Sequence, residues 1–314
     1  MYSRTVRTPQ PCGVSHTSDA ELIAMNATRM RRKADLRGIV ASLVVCAYVA
    51  LFIIAPYAIV LAFSFWKKTL YSVKPAFTIE NYDKIFQSTL YFRIILNSFE
   101  VAIAVTLTVI VMGYLLAYYL SRYSGKYRSI LFFLLVVPLW TSYLLRAYVW
   151  TIILGRKGII NSFLLKMGII SHPISIILYS QFSIDLALIY IFIPFVALPV
   201  YAALEKIPPE YLEASEDLGA RGWNTFLSIT LPLTAPALVA GAAITFCLSF
   251  GDFITPTLLG GSSDIMISNV ILKQFGAAFN WPLGSALAIV VMCIVLVVVA
   301  AAMTVVNKRV GYKL

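Results

Sequence analysis

Three ionisable side chains, Glu100, Arg146 and Asp252, fall inside long apolar runs, and Asp252 has Phe250 and Phe253 on either side. A charge in such surroundings is costly and marks a solute path, a relay or a pair that pins helices together. A carboxylate facing a cavity favours a cationic solute, and neighbouring rings add cation–π attraction. The structural alternative is that Arg146 pairs with Glu100 or Asp252. Other chemistries lack their groups. Neither His16 nor His172 lies in an apolar run, so no intramembrane histidine metal site or proton relay is expected. No nucleophile–base pair or metal cluster sits within the runs, which argues against an intramembrane enzyme. Cys46, Cys247 and Cys293 are in apolar runs and Cys12 in a polar tail, a pattern of reduced structural cysteines rather than a disulfide framework. The phosphate-cradling pattern G-x-x-x-x-G-K-[ST] is absent, so the chain itself is not expected to bind ATP, and neither a cofactor nor a metal is implied.

The second chemical feature is a polar segment, Glu205–Pro232, between two apolar runs. Pro208-Pro209 ends one helix and opens another, because proline suits a first helical turn and not an interior. Glu210 and Glu213 then fall in the first turns, where the helix dipole favours negative charge. Tyr211, Ala214 and Leu218 recur at spacings of three and four and form one apolar face. Gly219 is placed to end the helix in the left-handed conformation. A second short helix through Trp223–Ser228 is expected next, with Pro232 opening the following span. An acidic knuckle with an apolar side, held between two spans, suits docking into a groove on a cytoplasmic partner.

These residues must be positioned by helices in lipid. Of 314 residues, 60% are hydrophobic and 12% charged, about half the charged share of a soluble domain. A span needs about 20 apolar residues, and six stretches qualify: Val40–Phe65, Ile95–Leu120, Ile130–Leu154, Leu186–Leu204, Ala235–Leu258 and Leu283–Val306. Lys and Arg outside the spans divide fifteen to nine in favour of the side holding both termini and the 205–232 loop. The excess makes that side cytoplasmic. Arg29-Met30-Arg31-Arg32-Lys33 precedes the first span, which reads as an uncleaved signal-anchor, its apolar run being longer than a cleaved signal's. The layout is a cytoplasmic tail 1–37, a first transmembrane helix 38–66, a five-helix transmembrane domain 94–306 containing the 205–232 loop, and a cytoplasmic end 307–314. Pro138, Pro194 and Pro199 fall inside spans three and four and are expected to bend them, which is tolerated where neighbouring helices satisfy the freed carbonyls. Gly241-Ala242-Ala243 and Ala300-Ala301-Ala302 allow close helix approach. The apolar loop 155–181 is expected to form short helices at the outer mouth, and no internal repeat is evident.

The order Glu213-Ala214-Ser215, Gly219, Ile229-x-Leu231-Pro232 resembles the E-A-A…G…I-x-L-P cytoplasmic loop of ABC-importer permeases, with Ser215 where alanine is usual. The resemblance runs from about Asn97 through the sixth span, including Asn97-Ser98, Gly113-Tyr114…Ala117-Tyr118, Arg156–Asn161, Ser249–Gly261 and Asn280-Trp281-Pro282. It is nearest to spermidine/putrescine permeases. It implies an all-α integral membrane protein of six transmembrane helices with the type I ABC importer permease fold, non-catalytic and multi-pass in the cell inner membrane. The implied function is ATP-driven import of a small solute, nearest a polyamine, by alternating access. It implies a coupling helix that carries dimer closure of the ATPase to the spans, with Glu210, Tyr211, Glu213, Ala214, Ser215, Leu218, Gly219, Ile229, Leu231 and Pro232 at the docking loop. Asp252, Phe250, Phe253, Glu100 and Arg146 are candidates for the solute path or gate. The implied partners are cytoplasmic ATP-binding subunits that bind the ATP, a second permease forming a heterodimer, an extracytoplasmic solute-binding protein and the lipid bilayer, with no nucleic acid. The alternatives are a permease for another organic cation, an amino-acid derivative or an iron complex, or a stand-alone secondary transporter. The last would require inverted repeats, more intramembrane charge and no docking element.

Overall fold

A computed structural model describes residues 42–69, 72–174 and 178–310, with backbone alone from 305 to 310. The tail 1–37, with Cys12, His16 and the basic run Arg29–Lys33, lies outside the described residues. In chain order the elements are α1 (Ser42–Ser64), the short strands β1 (Lys67–Lys68) and β2 (Val73–Lys74), α2 (Glu80–Gln87) and α3 (Thr89–Arg122). There follow α4 (Gly125–Trp140), α5 (Tyr143–Leu154), α6 (Ile159–Lys166), α7 (Gln181–Leu204), α8 (Pro209–Asp217), α9 (Gly222–Phe250), α10 (Ile254–Leu259), α11 (Ile267–Phe275) and α12 (Trp281–Val310). Residues 1–59 form one unit and 60–314 a second. The packing below concerns the second.

Helices α1, α3, α7, α9 and α12 are each long and apolar enough to cross a bilayer. The third span expected from the sequence is not one straight helix. It breaks into α4 and α5, whose axes differ by 101°. Pro138 has no N–H to bond back, the helix tightens to a 3-10 turn over Val137–Trp140, and Thr141 and Ser142 are extended (ψ 151° and 137°). Span five also differs from expectation. The separate helix predicted at Trp223–Ser228 is the first part of α9, and Pro232 lies inside that helix instead of opening it. A π-turn at Phe226–Thr230, with Leu231 N–H bonding Phe226 C=O, widens the ladder just before the proline. The ladder already skips a register there, so the proline's missing N–H does not break the helix. At its other end α9 stops at Phe250, and Leu258 belongs to the short α10.

The centre of the bundle is α7 packed between α3 and α9. Ile184, Leu188, Ile191, Val196, Ala197, Val200 and Leu204 of α7 are buried at helical spacing against Val101, Val105 and Val109 of α3. α7 runs unbroken through Pro194 and Pro199. Pro199 leaves the carbonyl of Phe195 without its helical donor, and α9 covers that site with Gly241. A Cβ built on Gly241 would stand 2.7 Å from Phe195 O and 2.9 Å from Val196 Cα, both backbone atoms that cannot yield. On the opposite side of Val196 a Cβ on Gly113 of α3 would meet its Cβ at 3.0 Å. Glycine at both positions brings three helices into contact through one valine.

Two polar staples tie the connections between spans. Asn81 of α2 donates from Nδ2 to the carbonyls of Ser64 (2.9 Å) and Trp66 (2.8 Å). Beside it, Glu80 pairs with Lys67 and Lys84 at 2.8 Å each, and these ammonium groups, Lys67 first, hold its carboxyl down to about 2. In the loop after α5, buried Asn161 donates to Gly155 O and Ile174 O (3.0 Å each) and accepts from Ile174 N–H (2.9 Å). The helix α6 within this loop matches the short helices expected there.

Gly241→Ala is therefore expected to destabilise the bundle by about 1–3 kcal/mol, as overpacking does. Gly222→Ala, whose added methyl meets nothing within 4 Å, is expected to be neutral or mildly stabilising. Thermal unfolding of the two variants in detergent micelles checks the difference.

Candidate functional site

The segment between α7 and α9 folds as the knuckle read from the sequence. Pro209 is the first residue of α8, with Glu210 in the opening turn. At the other end Gly219 takes φ +75°, the left-handed region where a side chain costs about 1–2 kcal/mol. Ala220 N–H bonds Ser215 C=O (3.0 Å) and Gly219 N–H bonds Glu216 C=O (2.8 Å). That pair of bonds satisfies the last carbonyls of a helix ended by a left-handed glycine.

The helix presents one side to water and the other to the protein. Glu210, Glu213 and Ala214 are exposed, Tyr211 is 54% and Leu218 89% exposed. A leucine that bare on a charged helix gains nothing from its own fold. The acid content is equally unhelpful to α8 itself. Glu216 and Asp217 lie near its C-terminus, where the helix dipole opposes negative charge, and no basic residue occupies its last turn. Ser215 faces inward, 8% exposed, and its hydroxyl shares a hydrogen bond of 2.9 Å with Thr225 on α9. The serine that stands where the motif usually has alanine thus ties the knuckle to the next span. Ile229, Leu231 and Pro232 are half-buried. Leu231 packs on the main core, so this part of the motif roots α9 and does not form the exposed tip.

A polar cluster holds the knuckle's base. Glu205 is ion-paired with Arg128 and accepts from Ser121 Oγ (3.0 Å), while Arg128 Nε donates to Tyr201 OH at 2.7 Å. Sequence reasoning missed this cluster and missed Thr225. The spacing of Arg128 and Glu205, 77 residues apart, carries no local signal.

The intramembrane candidates separate. Asp252 is 7% exposed, and its carboxylate accepts from the N–H groups of Ile254 and Thr255 (3.1 Å each), capping α10 at the break in span five. Thr255 Oγ1 lies 3.1 Å from Tyr143 OH, the first residue after the break in span three. The two helix breaks therefore face each other. Arg146 lies over the Tyr143 ring, 5.7 Å from its centroid. Its Nε and Nη1 are enclosed without a hydrogen-bond partner. Among the described residues no ion pair joins Arg146 to Glu100 or Asp252, so the pinning pair considered from the sequence is not formed here. Glu100 is exposed on α3. Phe250 is fully buried, stacked on Phe246 at 5.7 Å, and takes no part in a solute-facing surface in this conformation. Phe253 is 41% exposed. No group of His, Cys, Asp or Glu among the described residues is arranged to hold a metal ion.

Residues 109–312, which include the knuckle, both breaks and the clamp at Val196, match the family described as binding-protein-dependent transport system inner membrane component. The chain belongs to that family. It is 37% identical over 271 residues to the spermidine/putrescine transport system permease protein PotB of Salmonella typhimurium strain SL1344, covering 85% of this chain and 94% of the relative. The identity to the protein of the same description in Escherichia coli K12 is also 37%, over 270 residues, 85% of this chain and 98% of the relative. The sulfate transport system permease protein CysT of E. coli K12 is 30% identical over 184 residues, 58% of this chain and 64% of the relative. Among solved structures, a bacterial ABC transporter that imports the acidic polysaccharide alginate contains a chain of the same fold, with a TM-score of 0.67 at 19% identity over 90% of this chain and 99% of that one. The protein is therefore a multi-pass inner-membrane permease subunit of an ABC importer, with the type I permease fold anticipated from the sequence.

The Ser215–Thr225 bond is expected to contribute about 1 kcal/mol. A double-mutant cycle of Ser215→Ala and Thr225→Val, read by thermal unfolding, is expected to return a coupling of that size, and a coupling near zero would remove the tie. Gly219→Val is expected to lower stability by about 1–2 kcal/mol through strain alone, with Gly219→Asn costing less because asparagine enters the left-handed region more readily.

Proposed function

We propose that α8 is the element through which this permease receives the work of ATP hydrolysis, docking into a groove on a cytoplasmic ATP-binding subunit, and that the solute is a polyamine such as putrescine or spermidine. The observation that carries the docking reading is the bare apolar side of α8, Tyr211, Ala214 and Leu218, on a helix whose acids oppose its own dipole. Those residues gain from burial only against another surface, and a groove with basic groups at its rim would complement Glu210, Glu213, Glu216 and Asp217. The polyamine reading rests on the two relatives named for spermidine and putrescine transport. Exposed Glu100 supplies a carboxylate suited to a cation at the outer part of α3. In this reading both termini face the cytoplasm, a second permease completes the pathway, and an extracytoplasmic binding protein delivers solute to the outer mouth.

One observation favours a second reading, import of an anion: the two enclosed nitrogens of Arg146 that have no hydrogen-bond partner. Uptake separates the two. Cells deprived of other polyamine import are expected to take up labelled putrescine when the permease and its partner subunits are expressed. Sulfate in large excess is expected not to compete. Uptake of labelled sulfate without uptake of putrescine would favour the anion.

Leu218→Asp tests the docking surface without disturbing the fold, since the side chain is 89% exposed in the chain alone. In mild detergent the wild-type permease is expected to bring down an ATP-binding subunit identifiable by mass spectrometry. The variant is expected to lose at least about ten-fold of that association, the loss of a buried anchor residue, with its own thermal unfolding unchanged. Undiminished association would rule out this face of α8.

A further inference from the structure

Four aromatic rings and one hydroxyl link the root of the knuckle to α3. Trp223, 67% exposed in the first turn of α9, stacks on Phe226 at 5.3 Å and 20°. Phe226 stands edge-to-face with two rings of α3 one helical turn apart: Tyr114 at 5.6 Å and 89°, Tyr118 at 5.8 Å and 88°. Edge-to-face pairs of this kind contribute beyond their buried area. Tyr114 then reaches past the ring, and its hydroxyl shares a 3.0 Å hydrogen bond with Thr234 Oγ1, which also donates to Thr230 C=O at 2.8 Å.

The position of these contacts along α9 is what matters. Phe226 is the first residue of the π-turn, and Thr234 lies beyond Pro232. Between them the π-turn and the proline together interrupt the regular i→i−4 ladder, which makes this a soft stretch of α9 where the helix can bend. A displacement applied at α8 would be absorbed there if backbone were the only connection. Tyr114 touches α9 on both sides of the soft stretch. α3 is in turn seated on α7 at Gly113 and Val196, one residue from Tyr114.

Building on the docking of α8 proposed above, we infer that Tyr114, Tyr118 and Phe226 are positioning residues that splint the π-turn of α9, so that movement of the knuckle passes to α3 as a rigid displacement. They touch neither nucleotide nor solute. Their effect lies in the yield of transport per ATP hydrolysed.

The test uses the complete importer in proteoliposomes, with ATP hydrolysis and solute uptake measured on the same preparation. Phe226→Ala is expected to leave co-purification of the ATP-binding subunit and the rate of ATP hydrolysis within two-fold of wild type, while uptake per ATP falls about ten-fold, the size of a coupling loss. Phe226→Tyr keeps an aromatic ring beside the two tyrosines and is expected to restore most of the yield. If Phe226→Ala does not accumulate as folded protein, Phe226→Leu and Tyr118→Leu, which keep apolar bulk without the edge-to-face geometry, carry the same expectation. Wild-type uptake per ATP in these variants overturns the splint, as does a loss of subunit association equal to the loss of uptake. Failure of the docking reading is a different result: wild-type permease without an associated ATP-binding subunit, or Leu218→Asp with full association.

Discussion

In hydrocarbon a backbone carbonyl that has lost its donor finds no water to replace it, and this chain places proline inside several crossings. The contact of Phe195 and Val196 with Gly241 answers that constraint at the centre of the bundle. Pro199 frees the Phe195 carbonyl, and only a residue without Cβ lets α9 close over it. The same closeness fixes α7 against α9, and Gly113 extends it to α3. Because α8 is strung between the C-terminal end of α7 and the N-terminal end of α9, its anchorage is set by this clamp. Everything at the knuckle's end of the bundle is built on a pair of helices that cannot slide apart without uncovering a carbonyl.

The clamp also explains why the two ends of α9 differ. At the knuckle end the helix carries a π-turn and Pro232, yet it is braced by Ser215–Thr225, Leu231 and the rings of α3. Away from it, the helix stops at Gly251, and Asp252 spends both carboxylate oxygens on the N–H groups that begin α10. A charge used as a cap at a helix break is satisfied locally. The break is therefore stable without a counter-ion, which fits the absence of an Arg146 ion pair among the described residues. The opposing break at Thr141–Ser142 meets it through Tyr143 and Thr255, two uncharged hydroxyls whose bond can be exchanged at low cost.

Much of this was legible in the residues. The number of apolar stretches, the acidic knuckle and its glycine terminus follow from local rules (length against bilayer thickness, dipole preference, left-handed φ), while the order of its motif was legible through the family resemblance. What was not legible depends on residues distant in sequence. The third span scores as apolar throughout, and its 101° bend arises where Pro138 meets two residues that turn extended. Trp223–Ser228 reads as a separate helix because Pro232 looks like a start signal, and a π-turn that tolerates the proline has no sequence signature of its own. Ser215 looked like a neutral replacement for alanine until Thr225 stood opposite it. Arg128 and Glu205 meet only because the fold brings the end of α7 to the start of α4.

Polar side chains differ in how far the chain alone satisfies them. Near the knuckle Glu205 pairs with Arg128 and Ser121, Ser215 with Thr225 and Tyr114 with Thr234, while Arg122 keeps an enclosed Nη2 without a partner. Beside the opposing breaks Arg146 keeps two enclosed nitrogens with nothing to bond, and elsewhere Glu100 stands exposed on α3. A charge at membrane depth is costly unless water, a solute or another chain reaches it. In the function proposed above, a water-lined path shared with a second permease would serve both groups, giving Glu100 solvent or a cationic solute and Arg146 an acceptor. On that proposal the knuckle would need only its partner's groove, whereas the path would be a half-site whose electrostatics close across an interface.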